Sequence, residues 1–289
     1  MLQSVIAAVF FVIQNLSNKL FSRDFKKGLY PLCALNALAL TMGTALLWLL
    51  FRPGMMPAGA MAWAALFGLL FDVTVSLIVL TISRGPLGMS NLIIDMSVVV
   101  SVLFAALVWR EPITPLRGAA LLILLAVLCA LALPEGREDN AVRLGWLILA
   151  LVTMLFNGSL SVVQKAAFMG FPALSSTDFT FWSVAFGAAI CLVMTAILKL
   201  FARARFAPGE PVKKLPLYAA GVGFGTAMAY YFQNWALTTT ESIVVFPVVV
   251  GLNVAGLMAS SILFFGERLS LRKAVAFVMG LVGIVLLSM

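Results

Sequence analysis

Apolar positions along this 289-residue chain come in long uninterrupted runs, not in the alternation of a half-buried strand or the narrow stripe of a surface helix. There are ten, at 3–21, 29–51, 60–82, 86–109, 114–133, 143–168, 177–201, 216–239, 242–265 and 270–288. Each is close to the roughly 20 residues that a helix needs to cross about 30 Å of hydrocarbon. The gaps between them are short, so the chain has no stretch that reads as a soluble domain. The first run opens next to Met1 with neither a basic segment nor a small-x-small cleavage site, which predicts a retained helix and not a removed signal. The pattern therefore predicts an all-α membrane protein with ten transmembrane helices.

Composition adds exclusions. At 63% apolar and 10% charged, the chain lies far from the roughly 45–50% and 25% of soluble domains. It contains no histidine, which removes His-ligated metals, a Ser-His-Asp triad and a histidine proton relay. Cys33, Cys129 and Cys191 all sit inside apolar runs and read as small packing residues, with no disulfide framework. Titrating chemistry must then come from carboxylates or lysines.

The polar gaps repeat. "WREPITPLRG" (109–118) and "FGERLSLRKA" (265–274) align Glu111 with Glu267, Ile113 with Leu269, Thr114 with Ser270 and Arg117 with Lys273. Upstream, Phe10, Asn15, Asn18 and Lys19 fall against Phe156, Ser161, Gln164 and Lys165. The chain thus reads as a duplicated five-helix unit, with residues 1–134 as the first repeat, 135–142 as a linker and 143–289 as the second. Thr114 and Ser270 are expected to cap the next helix, with Pro115 at its first position. Glu111 and Glu267 beside those helix N-termini are explained by the helix dipole alone. An odd number of helices per repeat makes the halves enter the membrane in opposite senses, and such inverted repeats place a substrate site near the midplane between them.

Loops after odd-numbered runs carry fourteen Lys and Arg, against Arg52, Arg110 and Arg117 after even-numbered ones, so odd loops are expected on the cytoplasmic side. The net charge of +8 is dispersed over these loops and does not call for nucleic acid.

With the repeat in place, the run "TTTESIVVFPVVVGLNVAGLMASSILFFGERLS" (238–270) resembles the penultimate helix, Gly-Glu-Arg turn and final helix of the ten-helix EamA-type branch of the drug/metabolite transporter superfamily. Lys19 and Lys165 resemble the lysine that closes the first helix of each repeat in that family. The chain departs from the pattern in Asn91, which stands opposite Pro247, and in "FFVIQNLSNK", which lacks a Trp-Gly pair. The first turn also has Arg-Glu where the second has Gly-Glu. The resemblance implies a secondary carrier of small organic solutes, often a metabolite exporter, working by alternating access in the inner or plasma membrane.

Polar residues inside the helices are the candidate site. An ionised carboxylate at mid-membrane costs about 2.5–3.5 kcal/mol on insertion scales, so Asp72 and Asp95 should meet a partner or a water-filled cavity. Asn91 shares a helical face with Asp95. Gln14 and Asn18 share one face of the first helix, while Asn15 and Lys19 share the next. Asn157, Ser161 and Lys165 repeat this in the sixth helix, as a pseudosymmetric cavity requires. Both lysines lie near helix ends. They either turn inward, to neutralise an aspartate or hold an anionic substrate group, or snorkel to the interface. "YYFQNWA" (230–236) adds Tyr230, Gln233 and Asn234, and Pro247 with Gly251 reads as a local break or hinge in the ninth helix. "GVGFG" (221–225) lies within an apolar run and reads as close helix packing, not a nucleotide loop. The small pair Ala276 and Gly280 suits either intramolecular packing or a dimer face.

The reading is a secondary transporter without cofactor or metal, whose partners are the lipid bilayer, a small-molecule substrate and protons, acting as monomer or homodimer. Two alternatives compete: a membrane-embedded transferase using Asp72 and Asp95 on a lipid-linked substrate, and a non-transporting membrane sensor.

Overall fold

The computed structural model describes residues 2–25, 28–108, 110, 114–132, 140–239, 242–266 and 271–287, and no strand occurs among them. The helices are α1 (Leu2–Asp24), α2 (Leu29–Phe51), α3 (Ala58–Arg84), α4 (Leu87–Asp95), α5 (Val98–Leu107) and α6 (Pro115–Ala132). The second half has α7 (Asn140–Gly170), α8 (Ser176–Leu200), α9 (Leu215–Thr239), α10 (Ser242–Phe265) and α11 (Leu271–Leu287). A single 3₁₀ turn, Val212–Lys214, leads into α9.

Nine of the ten apolar runs form one helix each. The fourth, expected to be continuous over 86–109, is interrupted at Met96 and Ser97 and forms both α4 and α5. There the i→i−4 ladder tightens to i→i−3 bonds: Ser97 N–H donates to Ile94 O at 3.0 Å, Val99 to Met96 at 2.9 Å and Val100 to Ser97 at 3.0 Å. Such mid-helix 3₁₀ stretches are recurrent at functional positions. By contrast, α10 is helical straight through Pro247 and Gly251, so the break read at Pro247 is absent there and lies in the matching helix of the other half.

The α6 start agrees with expectation. Pro115 is its first residue, and Thr114 C=O accepts the first helical bond from Gly118 N–H at 3.0 Å. Glu111, Ile113, Glu267, Leu269, Ser270 and residues 135–139 of the linker lie outside the described residues. α7 is already helical from Asn140, within the stretch expected to be linker.

Leucines cover the outside of the bundle: Leu49, Leu122 and Leu263 are 67%, 70% and 76% exposed, while Asn18, Asn36 and Asn91 are buried. That distribution suits lipid outside and polar chemistry within. Counting α4 and α5 as one span, the helices form two inverted five-helix repeats, and their packing follows the repeat. α1 against α9 is matched by α7 against α3, α2 against α9 by α8 against α3, and α1 against α10 by α7 against α4 and α5. The pairs α2–α8, α4–α10 and α6–α11 map onto themselves.

Glycines let the halves approach closely. "GVGFG" is a packing device as expected: a Cβ on Gly225 would lie 2.9 Å from Phe10 O and from Gln14 N of α1. Ala276 is buried, and a Cβ on Gly280 would meet Leu92 Cδ1 at 2.8 Å, so that small pair serves packing of α11 on α4 within the molecule.

A candidate substrate cavity between the halves

Three helices of the first half and their three counterparts in the second enclose a cavity of about 160 Å³. Gln14 and Asn15 come from α1, Phe67, Phe71 and Thr74 from α3, and Asn91 and Asp95 from α4. Across from them stand Asn157, Ser161 and Gln164 of α7, Tyr230 and Gln233 of α9, and Asn253 of α10. The periodicity explains the faces. Phe67, Phe71, Thr74 and Ile78 recur at helical spacing along α3, as do Asn157, Ser161 and Gln164 along α7.

Asp95 is the last residue of α4, directly before the interruption. Its Oδ2 accepts from Asn253 Nδ2 of α10 at 3.0 Å. Two residues on, Ser97 Oγ accepts from Asn157 Nδ2 of α7 at 2.9 Å. Two second-half amides therefore brace the interrupted helix of the first half, one at the carboxylate and one at the turn. Asn15 and Asn91 each donate to the carbonyl four residues back, Phe11 O at 3.0 Å and Leu87 O at 2.9 Å, which leaves their amide oxygens for other partners. Tyr230 meets the rings of Phe11, Phe67 and Phe71 edge-on, with centroids 5.3, 5.9 and 5.6 Å away. The wall thus combines one carboxylate, several amides and an aromatic corner. Among the described residues, no lysine or arginine lines it.

Eight expected site residues line this space: Gln14, Asn15, Asn91, Asp95, Asn157, Ser161, Tyr230 and Gln233. Five others lie elsewhere. Asn234 stands behind the wall, where its Oδ1 accepts from Gln164 and its Nδ2 donates to Thr180 of α8. Asn18 is fully buried one turn beyond Gln14. Lys19 does not turn into the cavity: its Nζ donates to Ile82 O at 2.8 Å and Gly85 O at 3.1 Å, binding the carbonyl end of α3. Lys165, one turn beyond the wall residue Ser161, is exposed and is not among the residues that line the cavity. Asp72, one residue after the cavity-lining Phe71, points instead between α2 and α8, where a Cβ on Gly187 would lie 3.0 Å from its Oδ1. The inward reading is corrected for Lys19, because a cation near a helix end finds carbonyls before it reaches the midplane.

Sequence reasoning missed Thr74, Ser97, Gln164 and Asn253 as wall residues. Asn253 carried a usable signal, as the only side-chain amide in α10. Ser97 carried none, since its role depends on the interruption.

A model of the EamA-like transporter family matches residues 144–289. A solved crystal structure superposes with a TM-score of 0.64, covering 99% of this chain and 95% of that chain. At 18% identity the likeness is one of fold. Among curated proteins, none matches the chain. With half of its length under the family model and its ten spans paired across two repeats, the chain belongs to the EamA-like transporter family and is a multi-pass membrane transporter of small molecules.

Proposed function

We propose that this protein is a secondary transporter that exports a small organic amine by alternating access, in exchange for protons, across the inner or plasma membrane. Asp95 is the observation that carries the reading: a carboxylate in the inter-repeat cavity, whose wall holds no other carboxylate and no cation among the described residues. A carboxylate so placed costs free energy unless something positive neutralises it, and the two candidates are a proton and a cationic substrate. They exclude each other at one carboxylate. An inward proton gradient then drives the amine outward, because arrival of a proton from outside releases the substrate, and loss of the proton inside readies the site. The aromatic corner around Tyr230 suits the amine's positive edge or an apolar body. The amides of Gln14, Asn157 and Gln233 suit polar substituents. The division into repeats at 1–134 and 143–289 supplies the two bodies that rock, with the Met96–Ser97 turn as one hinge and the continuous Pro247–Gly251 segment of the matching helix as the other.

The test uses purified protein in sealed vesicles. A thermal-shift screen over amines, amino acids, nucleobases and organic anions first selects the probe, and amines are expected to stabilise. With the best amine, Asp95→Asn should abolish gradient-driven accumulation while passive exchange persists. Uphill accumulation by Asp95→Asn with unchanged pH dependence would overturn the coupling role, and stabilisation by organic anions alone would overturn the substrate class.

A further inference from the structure

Asp72 is a second carboxylate inside the bundle, and the cavity does not use it. It is 6% exposed, enclosed by α2, α3 and α8, a contact that crosses from the first half to the second. Among the described residues no N–H or O–H group donates to either of its oxygens. Its polar neighbours are the thiols of Cys33 on α2 and Cys191 on α8, which are weak donors. One turn further along α3, Ser76 Oγ accepts from Asn36 Nδ2 at 3.1 Å. Asn36 Oδ1 and Ser183 Oγ, both in buried residues of the same contact, also have no hydrogen-bond partner among the described residues.

Charges able to compensate are absent from this contact. α2 carries none, and α8 has only Asp178 in its first turn and Lys199 in its last. The other charge on α3 is Arg84, at its far end, twelve residues away. That is about 18 Å at 1.5 Å per residue. On the neighbouring helices, Lys19 is bound to carbonyls at that same far end, Lys165 is exposed, and Asp95 faces the cavity. A metal ion lacks both ligands and space, because Gly187 packs directly on Asp72 Oδ1 and no His/Cys/Asp/Glu cluster of ligating spacing occurs among the described residues.

We propose that Asp72 is a proton-binding site separate from the substrate cavity: it holds a proton while α8 packs on α2 and α3, and releases it to water only when that contact opens. The step is simple ionisation, in which the O–H bond breaks, the electron pair stays on the carboxylate and the proton leaves to solvent. Because the packed arrangement binds the proton more tightly than the opened one, raising the pH shifts the population toward the opened contact. The site is independent of the reading of Asp95 and adds a second titration to the rocking of the two halves.

Infrared difference spectra of the full-length protein in lipid, taken across a pH jump, test this directly. Asp72→Asn should remove one carboxylic-acid carbonyl component that Asp95→Asn retains, and it should release one proton fewer per protein. An unchanged spectrum and proton count in Asp72→Asn would overturn the proposal. Should that variant fail to fold, Cys33 and Cys191 report on the native carboxylate in a Cys129→Ser protein. Their alkylation by a permeant maleimide should rise with pH more steeply than that of the same cysteines in denatured protein, with no effect of sodium at fixed pH. Equal steepness, or protection by sodium, would overturn it.

Discussion

At the scale of single residues, the two lysines that occupy equivalent repeat positions differ in exposure. Lys19 ties the end of α1 to the last carbonyls of α3, Ile82 O and Gly85 O, and its Nζ lies 5.9 Å from the Phe265 ring centre. Hydrogen bonds from a charged donor contribute about 1.5–3 kcal/mol. Lys19→Met is therefore expected to lower the melting temperature in detergent by several degrees. Lys165→Met, at an exposed position, is expected to lose less than Lys19→Met. Equal losses in the two variants would show that Lys165 is structural too. The residue scale is also where the sequence was most and least informative. Asn91, Asp95 and Asn157 were legible because a polar group in an apolar run needs a partner or water. Asp72 obeyed the same rule and lies on the other face of its helix, and no side-chain pattern within α3 distinguishes those two faces.

At the scale of helices, apolar run length predicted the spans because hydrocarbon thickness dictates it. It did not predict the interruption at Met96–Ser97. "IDMSVV" contains no proline or glycine, and the amides that meet it, Asn157 and Asn253, come from α7 and α10. Pro247, the expected breaker, sits in a helix that stays continuous. Close approach was better marked. A side chain at Gly225 must push α9 off the α1 backbone at Phe10 and Gln14, and such overpacking costs about 1–3 kcal/mol. Gly225→Val should thus both destabilise the protein and impair transport, since Gln14 and Tyr230 line the cavity on those two helices. Gly145→Ala is the control: nothing lies within 4 Å of its added Cβ, and helix propensity favours alanine by about 1 kcal/mol. Thermal melts and vesicle uptake on the pair separate crowding from a generic glycine effect.

At the scale of the whole molecule, the Lys/Arg bias predicts an orientation, and the molecule's ends offer labelling sites to test it. Pro208, between α8 and α9, and Met55, between α2 and α3, are both exposed. With Cys33, Cys129 and Cys191 replaced, Met55→Cys should react with an impermeant thiol reagent in intact cells and Pro208→Cys should react only after lysis. The reverse pattern would invert the topology, and with it the direction of export. The family model covers only the second half, whereas the cavity draws equally on α1, α3 and α4 of the first. The candidate site is therefore built by the pairing of the halves, and neither half encloses it alone.

The sequence by itself determined what the solvent dictates: ten apolar spans, a duplicated plan, Lys and Arg concentrated on one face, and polar residues confined to a few helices. These follow from the transfer cost of each residue, which depends on composition and period alone. Only the tertiary structure decided that Asp95 faces a cavity while Asp72 is sealed beneath α8, that Lys19 serves a helix end, and that the fourth span breaks beside its carboxylate. Each of those outcomes depends on which neighbouring helix supplies the hydrogen-bond partner. Partners separated by 60 residues (Ser97 and Asn157) or 158 (Asp95 and Asn253) leave no periodic trace in the chain.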